Sequence, residues 1–224
     1  MATPDKRLRK VSTGIALLVA ANVLLMLLVA GFVLLTMSGF LGLGILTERL
    51  LFFSAALVPP GFAIPMLLWI VGQCLCLATP REAKGTGYLL TSILLTVVSF
   101  VTVPLPRFVP VPLVLSAALS SLPIVSTFFL LRFIGRLTNY LERPDLQKLC
   151  RSTLILWVSS FVIFLAMAAS QSALVALGDI GMYVTVILRS LIAILCAISY
   201  ISYLRLLELT RRATLARSHA EQAI

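Results

Sequence analysis

The sequence opens MATPDKRLRKVSTGIALLVAANVLLMLLVAGFVLLTM, residues 1–37. Four basic residues, Lys6, Arg7, Arg9 and Lys10, stand just before an apolar run from Val11 to Met37. Secretory signal peptides share this order, but their apolar core is only about 7–15 residues long and ends at a small-residue cleavage site. The run here exceeds the roughly 20 residues that cross a bilayer, and no such site follows it cleanly. It reads as a retained first transmembrane helix. That reading decides the class of the whole chain.

The composition agrees. Of 224 residues, 60% are apolar and 12% charged, against about 25% charged in a soluble domain. The net charge of +10 raises nucleic acid as a partner. The basic residues, however, stand in short clusters at the ends of apolar runs, which is how topology signals are placed. No nucleic-acid partner is expected. Cys74, Cys76, Cys150 and Cys196 have the spacing of neither a disulfide framework nor a zinc pair. Two residues apart on a helix, Cys74 and Cys76 point to different sides.

Apolar runs long enough to span lie at about 11–37, 51–78, 86–103, 111–133, 153–176 and 182–206. The second is interrupted by Pro59, Pro60 and Pro65 and follows Gly39, Gly42 and Gly44. Proline removes a helical hydrogen bond. Residues 38–60 are therefore expected as an interfacial or re-entrant piece, with the continuous span starting near Gly61. Fifteen of the 18 basic residues fall in the two tails and the 2–3 and 4–5 connections or at the ends of the runs beside them. Only Arg49 and Arg107 fall in the alternate connections, and Arg189 lies inside the sixth run. This is the charge asymmetry of loops held on the cytoplasmic side. Pro144, followed by Asp145, suits the first turn of a helix.

The expected fold is all-α: a polytopic integral membrane protein forming a six-helix transmembrane bundle. The membrane domain covers 11–207, with basic cytoplasmic tails at 1–10 and 208–224. Both termini are expected on the cytoplasmic side of the plasma membrane.

Catalysis inside a membrane generally needs carboxylates or histidines at depth. The one histidine, His219, is near the C-terminus, and the eight acids fall in tails, connections or helix ends. There is no phosphate-binding glycine loop and no G-x-S-x-G or H-E-x-x-H motif. No catalytic residue, metal site or cofactor is expected, and the chain reads as a non-enzyme.

The polar residues left inside spans are Asn22, Gln73, Gln171 and Arg189. Asn22 and Gln73 are expected to make interhelical hydrogen bonds. Arg189 is the costly one, at about 2.5–3.5 kcal/mol for an arginine at mid-bilayer. At 100° per residue, Thr185, Arg189, Cys196, Tyr200 and Tyr203 form one stripe on the sixth helix, expected to face the bundle. Thr153, Trp157, Ser160, Phe164 and Gln171 form a comparable line on the fifth. Arg189 is read first as a structural clamp to Gln171, Asp179 or loop carbonyls, with Thr185 beside it. The alternative is a contact for an anion or small solute. Small residues four apart are frequent, Ala16/Ala20 and Ala193/Ala197 among them, too frequent to name particular helix contacts.

VGQCLCLATPREAKGTGYLLTSILL (71–95) and YLRLLELTRR (203–212) together resemble an uncharacterised type of multi-span bacterial membrane protein. The likeness covers helices two, three and six and carries no site with it. It implies a bacterial cytoplasmic membrane. The function expected is that of a structural or accessory component of a membrane assembly. The alternative is a small-solute or anion transporter or channel using Arg189. Partners are the lipid bilayer and either another protein or further copies of the chain.

Overall fold

The computed structural model describes residues 4–40, 63–102, 113–176 and 178–222. Six α-helices and no strand are found among them: α1 (Pro4–Phe40), α2 (Ala63–Cys76), α3 (Thr86–Thr102), α4 (Leu113–Tyr140), α5 (Pro144–Ala176) and α6 (Gly178–Gln222). Four stretches are long and apolar enough to cross a membrane: Lys6–Gly31, Ser121–Tyr140, Pro144–Ile163 and Tyr183–Ala220. Ala63–Cys76 and Thr86–Phe100 are shorter apolar helices. Of the 38–60 segment, residues 38–40 complete α1, and the rest lies outside the described residues.

The outward faces support a bilayer as the surrounding solvent. Leu27 on α1, Leu94 on α3, Ile155 and Val162 on α5, and Ile187, Leu191 and Ile194 on α6 all point away from the protein. A water-soluble surface rarely gathers so much contiguous apolar area. In a membrane these side chains meet lipid tails of the same character.

The connection between α4 and α5 is built as its sequence suggests. Pro144 is the first residue of α5, where its missing N–H costs nothing, and Asp145 stands in the first turn. Glu142 takes a left-handed conformation at φ 56°. The turn returns the amides of Glu142 and Arg143 to the carbonyls of Asn139 and Thr138, satisfying the end of α4.

α6 packs along both α1 and α5, while α4 packs on α3 and α5. At 45 residues α6 is about 67 Å long, more than twice the roughly 30 Å hydrocarbon core. Its C-terminal turns must therefore extend past a bilayer. Residues 208–222, expected as part of a tail, continue this helix, with Thr210, Thr214 and Ser218 buried. Leu8, in the expected N-terminal tail, is buried as well. The packed core thus reaches beyond the apolar part of the sequence, at the end where the basic residues collect.

Candidate functional site

Each neighbouring pair of helices is joined by a specific contact, and the contacts close into a ring. Between α1 and α2 two glycines meet. A Cβ placed on Gly14 would sit 2.6 Å from the Gly72 carbonyl oxygen, and one on Gly72 would sit 2.8 Å from the Gly14 oxygen. Only bare backbone fits there. α2 joins α3 through Gln73, whose Nε2 donates to Ser92 Oγ at 2.9 Å. α3 joins α4 through hydroxyls: Ser126 Oγ donates to the Ser92 carbonyl at 2.9 Å, and Thr96 Oγ1 lies 2.7 Å from Ser126 Oγ. Cys150 Sγ on α5 reaches the Leu131 carbonyl of α4 at 3.3 Å. Ser160 and Ser199 join α5 to α6, oxygen to oxygen at 3.0 Å. Tyr200 closes the ring from α6 to α1 on Asn22.

Inside the ring lies a pocket of roughly 200 Å³ to which all six helices contribute. Its aromatic wall is Trp69, Trp157, Tyr200 and Tyr203. Trp69 stacks on Tyr203 with centroids 6.4 Å apart, and Trp157 meets Tyr203 edge-on at 6.2 Å. Thr96, Ser99, Ser126, Thr127 and Asn22 also line the pocket. No charged residue lines it. The hydroxyls are largely taken up internally, Thr127 by the Pro123 carbonyl and Ser99 by the Leu95 carbonyl. Two buried donors at the wall have no hydrogen-bond partner, Trp157 Nε1 and the Tyr203 hydroxyl, although Asn22 lies beside the latter. An apolar cavity of about 150 Å³ is enough to hold benzene.

The sequence-derived candidates divide. Asn22 and Gln73 are buried, and both bridge helices. Thr185 donates to the Gly181 carbonyl one turn back, at 2.7 Å. Arg189 faces outward and has no hydrogen bond or ion pair among the described residues. The side chains of Gln171 and Asp179 lie outside the described residues, so the clamp cannot be drawn to them. The inward line of α6 runs through Ile192, Ser199, Tyr203, Leu206 and Thr210, about 50° round from the polar stripe at 100° per residue. Tyr203 is therefore inside, Tyr200 at the edge, and Arg189 and Cys196 outside.

The residues unforeseen in this role are Trp69, Thr96, Ser92, Ser126 and the Gly14–Gly72 crossing. Among the described residues no group of His, Cys, Asp and Glu could hold a metal. Beyond the apolar runs, two acids pair with arginines. Arg143 forks onto Asp145 at 2.9 and 3.1 Å, and Arg211 and Arg212 both bond Glu208, at 2.7–2.8 Å. The hydrogen bonds from their arginines hold both carboxyls down to about 2.

Comparison of the chain with protein families, with curated proteins and with solved structures found no match.

Proposed function

We propose that this is a non-enzymatic integral membrane protein that serves as an accessory component of a membrane assembly. In this reading α2 and α3 cross the bilayer along with the four longer helices. The clustered basic residues hold both termini on the cytoplasmic side of a bacterial plasma membrane. The observation that carries the assembly reading is Arg189. Its guanidinium stands outward on α6, with Val186, Ile187, Leu191 and Ile194 exposed around it. A lone arginine facing lipid costs a few kcal/mol. A neighbouring protein or a second copy of the chain, offering a carboxylate or carbonyls at that depth, removes the cost.

The test is cross-linking in the native membrane, followed by purification in mild detergent, for wild type and Arg189→Ala. The assembly reading expects a complex with wild type, its loss with alanine, and an unchanged melting temperature for the isolated chain. A complex that survives the substitution contradicts it. A clamp to Gln171 or Asp179 would instead lower the melting temperature.

The central pocket favours a second reading, a carrier of a small neutral apolar molecule. The pocket holds no charge and does not include Arg189, so an anion has nothing to meet there. Both tryptophans of the chain line it. Saturable quenching of their fluorescence by a neutral aromatic probe such as 1-naphthol would support this reading. Quenching that rises linearly with probe, as partition into detergent does, would oppose it.

A further inference from the structure

We propose that the groove between α3, α4 and α5 at the basic end of the bundle binds the phosphate group of an anionic lipid. This site is separate from both the pocket and the Arg189 face, and does not rest on either reading above. The groove encloses about 670 Å³. Arg132 and Arg136 line it from α4 and Arg151 from α5. Four residues apart on a helix, Arg132 and Arg136 share a face. All three side chains are exposed, and none pairs with a carboxylate among the described residues. The nearby Asp145 is occupied by Arg143. Arg132 lies over the Phe128 ring at 5.3 Å.

Three like charges around one hollow repel one another, and an anion between them reverses the sign of that interaction. Guanidinium forks match phosphate oxygens two at a time. Neutral hydrogen-bonding groups complete the rim: Tyr88, Asn139 and Gln147, the last two joined at 2.9 Å.

The apolar lining identifies the source of the phosphate. Leu131, Leu154 and the outward-facing Ile155 line the same groove as the arginines, so apolar side chains stand beside the cationic ones. Free phosphate gains nothing from them, whereas a lipid sets its glycerol and first acyl carbons against them. The groove is also expected near headgroup depth, at the ends of the candidate spans Ser121–Tyr140 and Pro144–Ile163 that meet at the α4–α5 turn. It takes residues from the last turns of α4 and the early turns of α5, where the fifth apolar run begins at about residue 153. Basic pockets between helices at this level are where anionic headgroups settle.

The test is native mass spectrometry of the full chain in detergent with dioleoyl phosphatidylglycerol, dioleoyl phosphatidylcholine or inorganic phosphate. Phosphatidylglycerol should be retained at least about tenfold more tightly than phosphatidylcholine, and inorganic phosphate at equal concentration should not displace it. Arg132→Gln with Arg136→Gln should weaken phosphatidylglycerol about tenfold or more, and Arg151→Gln alone should weaken it from the other helix. The lysine pair at 132 and 136 should keep part of the affinity. Lys6→Gln with Lys10→Gln removes the same charge elsewhere and should leave retention intact. Equal retention of the two lipids, equal loss in the Lys6/Lys10 control, or displacement by inorganic phosphate would each overturn the proposal.

Discussion

Tyr200 on α6 points its hydroxyl at two oxygens of Asn22 on α1, the backbone carbonyl at 2.7 Å and Oδ1 at 2.8 Å. One hydrogen is shared between two acceptors 178 residues away in sequence. The Asn22 amide nitrogen is meanwhile turned back onto the Leu18 carbonyl, which fixes the orientation that Tyr200 meets. This contact joins the first helix to the last and closes the ring of six.

Removing it should cost stability. Hydrogen bonds between helices in membranes average about 0.6 kcal/mol and reach about 1.7. Tyr200→Phe should therefore lower unfolding free energy by about 1 kcal/mol, measured as a lower melting temperature in detergent. Tyr203→Phe is the contrasting case. Its buried hydroxyl makes no hydrogen bond of good geometry, although Asn22 lies beside it, so its loss should cost less than that of Tyr200, within about 0.5 kcal/mol. Equal losses from the two would contradict this assignment of partners.

The glycine crossing gives a second contrast. Gly14→Ala forces a methyl to 2.6 Å from backbone that cannot move aside. Overpacking of this kind costs about 1–3 kcal/mol. Gly31→Ala, on the same helix, meets nothing within 4 Å and should leave stability unchanged or raise it, since alanine favours helix. Thermal unfolding of the two variants checks both signs.

Acid should weaken the basic end slightly. Glu208 is held to about 2 by Arg211 and Arg212, below its ordinary value of 4.5. Its contribution is therefore present above pH 4.5 and is lost as pH falls toward 2. The pair is solvent-screened, so the loss should stay below about 1 kcal/mol. Glu208→Gln should flatten the melting profile between pH 6 and pH 2.5, relative to wild type. A profile unaltered by the substitution would show that the bridge contributes nothing.

Particular residues show what the sequence could and could not reveal. A lone amide in an apolar run needs a partner, so Asn22 and Gln73 were legible as bridges. Pro144 was legible as a helix start because its missing N–H suits only that place. Ser92, Thr96 and Ser126 carried no such signal. Helical serines and threonines usually bond the carbonyl a turn back, as Thr96 does to Ser92, and their reach across to another helix appears only in three dimensions. The outward turn of Arg189 was hidden for a different reason. In water an apolar side chain marks the inside, but lipid accepts Ile192 as readily as the protein core does. Polarity alone therefore placed the inward face of α6 about 50° off.

The most direct measurement for the membrane-bundle reading is the side on which successive connections emerge. Reporter fusions at residues 84, 145 and 220 should all report the cytoplasm, and a fusion at residue 107 should report the opposite side. A cytoplasmic signal at residue 107 would mean that α3 and α4 do not both cross, and would contradict the six-crossing threading.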